Sequence, residues 1–176
     1  SPRRRDHTEA VAGFAAELCR SHGLDPERGR AAGLAHDMCK ELPREGQRAL
    51  AALWSGTAPS CSLLGDKVVH GPAAAALLER DFGVDDGELL DAVAYHTLGR
   101  PGMGLLETIV YCADKLEPGR RNVDPALRER CLSLPPADML REVVSSVARR
   151  LGDEGLPVAA EPVALLESLS RRIPTV

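Results

Sequence analysis

Six side chains have the types and placement to hold metal: His7, His36, Asp37, His70, His96 and Asp114. Imidazole nitrogen mixed with carboxylate oxygen suits iron, manganese, cobalt or zinc better than calcium. Three of the six fall on stripes that should face a core. His7 shares a helical face with Val11, Phe14 and Leu18. His96 follows Leu89 and Val93 on such a face, and Asp114 lies in line with Met103, Val110 and Glu117. A buried carboxylate without a partner is costly, so it is paired or bound to metal. The other three sit where helices begin or end: His36-Asp37 as a doublet at a helix end, and His70 opening a His-Gly-Pro helix start. Adjacent helical residues point about 100° apart, so such a doublet serves one metal only at the rim of a bundle, where ligands converge from other helices.

Each residue alone has a plainer reading. A single histidine on an apolar face is more often a hydrogen-bonded core residue, and Asp114 beside Lys115 forms a simple helix-end pair. His22, just before Gly23, reads as a cation favouring a helix dipole. The set, with four of the five histidines at such places, is harder to explain that way.

The elements that must position these residues are helices. Ala and Leu dominate and aromatics are 3% of the chain, a mix that favours helix over sheet. The expected architecture is an all-α bundle of about seven helices with no convincing strand. The first spans 6–22 and stops at Gly23, with His7 near its start. Asp25-Pro26 starts a second, running towards Cys39 and stopping before Pro43. Others are expected over 44–54, 67–82, from Asp85-Asp86 to Thr97, and over 103–116, with weaker ones near 125–150 and 161–172. Residues 55–66 read as loop, and GRPGMG at 99–104 is a strong breaker. The 176 residues suffice for one domain, with the motifs in 4–120 and C-terminal helices over 125–173.

Composition excludes several classes. A net charge of −4 gives no nucleic-acid footprint, and clusters such as Arg3-Arg4-Arg5, Arg120-Arg121 and Arg171-Arg172 read first as solvated faces. No apolar run approaches the roughly 20 residues needed to span a bilayer, and no signal peptide is visible. Five cysteines (Cys19, Cys39, Cys61, Cys112 and Cys131) with no C-x-x-C pair argue against a disulfide framework or thiolate zinc site. They read as reduced, packed thiols of a cytoplasmic protein. The chain begins at Ser1 rather than Met, as a processed, trimmed or excised chain would.

The order His7 … His36-Asp37 … Asp114 resembles the H…HD…D pattern of the HD phosphohydrolase superfamily. The flanks are more specific. GLAHDMCKELP (33–43), VVHGPAAAALL (68–78) and AYHTLGRPGMGLLETIVYCADKLEPGR (94–120) resemble the YqeK-type symmetrical bis(5′-nucleosyl)-tetraphosphatases. The resemblance covers about 4–120 well and the remainder loosely. Arg5 stands where the family usually carries an aromatic, and only six residues precede His7 where the family usually has a helix.

That resemblance implies an all-α HD fold, iron as one or two ions, and hydrolysis of diadenosine tetraphosphate to two ADP by a metal-activated hydroxide. It implies a first metal on His7, His36, Asp37 and Asp114, with Asp37 bridging to a second on His70 and His96. His7 and Lys40 are expected to contact substrate, and Arg100 and Arg120, in glycine-containing loops after ligand-bearing helices, suit bidentate phosphate contacts, Arg120 matching the family's motif spacing better than Arg121. Thr97, beside His96, is placed to bond a phosphate oxygen or to cap the helix end. Lys40 lies one turn after Asp37 and is placed to balance phosphate charge or protonate the leaving oxygen; its plainer reading is a surface pair with Glu41 or Glu45. A homodimer is compatible with the resemblance. Competing readings are an HD phosphohydrolase acting on another nucleotide, a non-catalytic nucleotide-binding module, and a metal-free bundle with buried histidines.

Overall fold

The structure is a computed structural model that describes residues 1–56, 65, 67–120, 123–156 and 159–170. Much of the 55–66 loop, Cys61, Arg121 and Arg171-Arg172 lie outside the described residues. Among the described residues all regular structure is helical: α1 (Pro2–Ser21), α2 (Pro26–Ala35), α3 (Arg44–Ala51), α4 (His70–Asp81), α5 (Gly87–Tyr95), α6 (Leu105–Leu116), α7 (Pro125–Leu132), α8 (Pro136–Asp153) and α9 (Ala160–Ser170).

Local chemistry sets these boundaries. Asp25 caps α2 by accepting from the Glu27 amide at 2.9 Å, with Pro26 in the first turn. Asp124 caps α7 in the same manner, with Pro125 in the first turn, and Asp86 caps α5 by accepting from the Leu89 amide at 3.1 Å. Glu107 folds back onto the Gly104 amide at 2.8 Å to start α6. Gly23, at φ +75°, follows the end of α1, a left-handed position that favours glycine.

The nine helices exceed the expected count of about seven, chiefly because 125–150 holds two. Pro135 and Pro136 interrupt it. A proline lacks the amide to continue the ladder and its ring clashes with the carbonyl one turn back. The chain therefore closes α7 with a turn at Ser133 and restarts at Pro136. Two other boundaries moved. α1 begins at Pro2 rather than Asp6, so His7 lies in its second turn rather than at its start. α2 ends at Ala35, not near Cys39; beyond it Lys40 N bonds to Asp37 O (3.0 Å) and Leu42 N to Cys39 O (3.1 Å). Such i→i+3 turns hold three residues per turn, so residues three apart line up.

α6 is the central helix, with Ile109, Val110, Tyr111, Cys112, Ala113 and Leu116 all buried. It packs against α1, α2, α5 and α8. The C-terminal helices cover its far side through Met139, Val143 and Val144 of α8, while α9 adds Leu165 and Leu169.

Two glycines bring ligand-bearing elements together. A Cβ on Gly33 would meet Ala12 Cα at 2.6 Å, so α2 lies in backbone contact with α1, one turn from His36. A Cβ on Gly71 would meet the Ala94 carbonyl oxygen at 2.6 Å, so the start of α4 abuts the end of α5. That second contact sets His70 beside His96. Gly33→Ala is expected to force α1 and α2 apart and to destabilise the protein by about 1–3 kcal/mol, the usual cost of overpacking. Urea unfolding of the variant against the wild type reads this directly.

Candidate metal centre

His36 is the C-cap of α2 and is fully buried. Its Nδ1 lies 2.7 Å from the Gly33 carbonyl, which can only accept, so Nδ1 carries the proton. The neutral ring then presents Nε2 as a bare lone pair. That nitrogen is buried and has no hydrogen-bond partner. His96, the C-cap of α5, repeats the device: Nδ1 donates to the Val93 carbonyl at 2.7 Å. In both, an imidazole at a helix end is oriented by a carbonyl three residues back, as metal-ligating histidines are by their outer partners.

These lone pairs converge on Asp37, which is nearly fully buried. Its Oδ2 lies 3.5 Å from His36 Nε2 and 3.8 Å from His7 Nε2. Its Oδ1 lies 3.1 Å from His70 Nε2 and 3.6 Å from His96 Nε2. Asp114 Oδ1 closes the first group, 3.2 Å from His7 Nε2 and 3.8 Å from His36 Nε2. Two clusters result, His7–His36–Asp37 and Asp37–His70–His96, with the ligand atoms of each within 4.8 Å of one another. Ligands bonded at about 2 Å to one ion stand roughly 3–3.4 Å apart, so these separations suit a metal.

Burial on its own would raise the Asp37 carboxyl, but the surrounding imidazoles of His36, His70 and His96 outweigh it and hold the group well below the usual carboxylate range. Burial likewise opposes ionisation of Asp114, and Lys115, His7, Arg120 and His36 together keep it low. Burial pushes His96 down to about 3, against the pull of Asp37, and pushes His70 down as well. The His70 and His96 Nε2 atoms stand 3.1 Å apart. Since His96 Nε2 is an acceptor, that contact needs a proton or a cation. The donor set, the orphaned His36 nitrogen and this pair fit a metal centre.

Cations ring the carboxylates. Arg4 reaches Asp37 Oδ2, and Lys40 Nζ lies 3.1 Å from Asp37 Oδ1. Arg120 grips Asp114 with Nη2 on Oδ1 at 2.5 Å and Nε on the carbonyl at 2.6 Å. An open groove of about 1190 Å³ lies over the first cluster, lined by Arg3, Arg4, His7, Lys40 and Arg120 among others. Its charge suits an anionic ligand.

Most of the residues expected from the sequence meet here. Thr97 Oγ1 stands 3.0 Å from His96 Nε2 and 3.4 Å from His70 Nε2. Lys40 pairs with Asp37 rather than with Glu41 or Glu45, because the turn after α2 lines up residues three apart. Arg100 is not brought to the centre. Its Nε donates to Glu107 at 2.8 Å, Nη2 donates to Asp91 at 2.7 Å, and the guanidinium lies over the Tyr95 ring. Glu107 precedes Asp114 by about two turns of α6, roughly 10 Å along the axis.

Three contributors were not anticipated. Arg4 belongs to a cluster expected to be solvated, yet it lies three residues before His7 and so shares its helical face. Arg5, by contrast, is exposed. Lys115 is more than a helix-end pair: its Nζ contacts Asp114 Oδ2 at 3.0 Å and the His96 carbonyl at 2.5 Å, tying α5 to α6 beneath both clusters. Glu117 is buried and receives His7 Nδ1 at 3.3 Å. The signal was a carboxylate one turn after Asp114 on the same face. Removing such an outer partner typically weakens metal binding by about 10–100-fold, and Glu117→Ala is expected to show that loss in a chelator-competition titration.

An all-helical bundle with paired histidine–aspartate clusters at the ends of its helices defines a candidate metal centre. The HD domain model matches residues 4–119, and the chain belongs to the HD domain family. It is 39% identical over 114 residues to a protein of Bacillus subtilis (strain 168) named symmetrical bis(5′-nucleosyl)-tetraphosphatase, covering 65% of this chain and 61% of that one. A protein of Staphylococcus aureus (strain NCTC 8325 / PS 47) with the same name is 33% identical over 118 residues, covering 67% and 60% respectively. The matched stretch thus spans about three fifths of these curated relatives. The fold is similar to the crystal structure of a protein from Clostridium acetobutylicum described as a predicted HD superfamily hydrolase involved in NAD metabolism. The TM-score is 0.84 at 30% identity, covering 97% of this chain and 90% of that one.

Proposed function

We propose that this chain hydrolyses diadenosine tetraphosphate symmetrically to two molecules of ADP, with iron as one or two ions at its centre. The observation that carries this reading is Asp37, whose two oxygens face two histidine clusters beneath a cation-lined groove. The names of the relatives supply the substrate. His7, His36, Asp37 and Asp114 would hold a first ion, and His70 and His96 with Asp37 would hold a second. The metal supplies Lewis acidity and a water acidified towards neutral pH.

The chain's own residues bind and orient the polyphosphate. Arg4 and Arg120, already at the ligand carboxylates, offer planar guanidinium forks to phosphate oxygens. Thr97 adds a hydroxyl beside the second cluster. Hydrolysis adds water across the central P–O–P linkage, and Lys40 is placed to give the departing phosphate oxygen its proton. Lys40→Met is expected to lower kcat by about 10²-fold, the size of a lost general acid, while leaving metal content unchanged. Arg100, held by Glu107 and Asp91, acts by fixing the 99–104 loop rather than by touching phosphate.

The four described cysteines are free and buried, which supports a cytoplasmic setting. No helix among the described residues is long and apolar enough to cross a membrane. The test is product identification with metal-loaded protein. ADP as the product supports the reading, whereas turnover of only mononucleotides or cyclic dinucleotides refutes it.

A further inference from the structure

We propose that the open cavity bordered by the end of α6, α7 and α8 seats the second nucleoside diphosphate half of the substrate. This rests on reading the chain as a dinucleoside polyphosphate hydrolase. The cavity holds about 440 Å³, within the roughly 300–1,000 Å³ usual for small-molecule sites. Leu116, Val123, Leu127, Val143 and Val147 give it apolar walls that suit a nucleobase. Arg120, Arg130, Arg149 and Arg150 give it a cationic lining.

Arg120 links this cavity to the metal centre, because it lines both the cavity and the groove over His7. Its Nη2 lies on Asp114, and Lys115, which also touches Asp114, lines the cavity too. Positive charge therefore runs from Arg4 and Lys40, across Arg120, to Arg149 and Arg150. Arg130 and Arg150 carry partly exposed pairs with Glu142 at 3.2 Å and Glu154 at 3.5 Å. Such pairs are weak, so phosphate can compete for them. Asp124 and Asp153, also on the lining, are acceptors suited to ribose hydroxyls.

Symmetry of the reaction gives the physical reason for two seats. Cutting a symmetrical chain at its centre leaves identical halves on either side of the scissile bond. Binding that positions the central bond needs contacts to both halves, and the groove over His7 accommodates one of them.

Calorimetric titration of metal-loaded protein with ADP tests this. The wild type is expected to bind two ADP per chain. Val147→Trp, which fills the cavity, is expected to bind one. Arg149→Glu, at an exposed residue where folding is not at stake, is expected to weaken one of the two sites by about tenfold. One ADP per wild-type chain, or two sites unaffected by both variants, overturns the proposal. Turnover is measured separately. A chain that binds two ADP yet releases none from diadenosine tetraphosphate refutes the substrate, and one that turns over while binding a single ADP refutes only the cavity.

Discussion

Asp37→Ala is expected to reduce turnover by three or more orders of magnitude, which is about 4 kcal/mol or more of lost barrier reduction. The residue supplies one oxygen to each cluster, and nothing else in either cluster is shared. Its loss leaves His7, His36 and Asp114 on one side and two histidines on the other, too few donors to retain a second ion. It also leaves Arg4 and Lys40 without the carboxylate they flank. Metal content should fall with activity, and His70→Ala should separate the two effects. That variant keeps the first cluster intact, so it retains one ion while losing the second. Elemental analysis of both variants alongside rates checks the assignment.

Lys115→Ala carries the largest expected effect on stability, a loss of about 3 kcal/mol, the order found when one partner of a buried pair is removed. The ammonium bonds both Asp114 Oδ2 and the His96 carbonyl. It also lies over the Tyr111 ring, 4.1 Å from the centroid. Burial lowers its pKa while Asp114 raises it. Removal strips Asp114 Oδ2 of its cation, leaving Arg120 on Oδ1, and takes away the hydrogen bond from α6 to the His96 carbonyl at the end of α5. For a domain of this length each kcal/mol shifts Tm by about 2–4 °C, so thermal unfolding of the metal-free variant reads the effect without involving catalysis. An unchanged Tm would mean that Arg120 and the neighbouring histidines suffice to hold Asp114.

The helical class and the core-facing placement of His7, His96 and Asp114 were legible because both rest on local signals. Asp-Pro and Asp-Asp caps announced α2 and α5, and the stripes under His7, His96 and Asp114 put ionisable groups where a core was expected. The split at Pro135-Pro136 was equally local but lay in a stretch whose helical pattern masked it. The early start of α1 was missed because Arg3-Arg4-Arg5 carries no apolar stripe; its helical state depends on Ser1 and Pro2 at the terminus.

What sequence could not show was the pairing of partners far apart along the chain. Glu117 serves His7 across 110 residues, and Lys115 reaches the His96 carbonyl from another helix. Arg100 illustrates the converse. Its loop position suggested phosphate contact, but Asp91 and Glu107, separated from it in sequence by 9 and 7 residues, claim its donors. Short spacing was visible; which way the loop folded was not. The close approach of α1 to α2 likewise depended on Gly33 facing Ala12, a match between surfaces that neither helix encodes alone.

The most direct test of the central claim is product analysis of iron-loaded protein given diadenosine tetraphosphate, with metal content measured on the same sample. The expected result is stoichiometric iron and ADP as the sole nucleotide product, abolished by chelation and restored by iron. Release of ATP with AMP, or no turnover by fully metal-loaded protein, would contradict it.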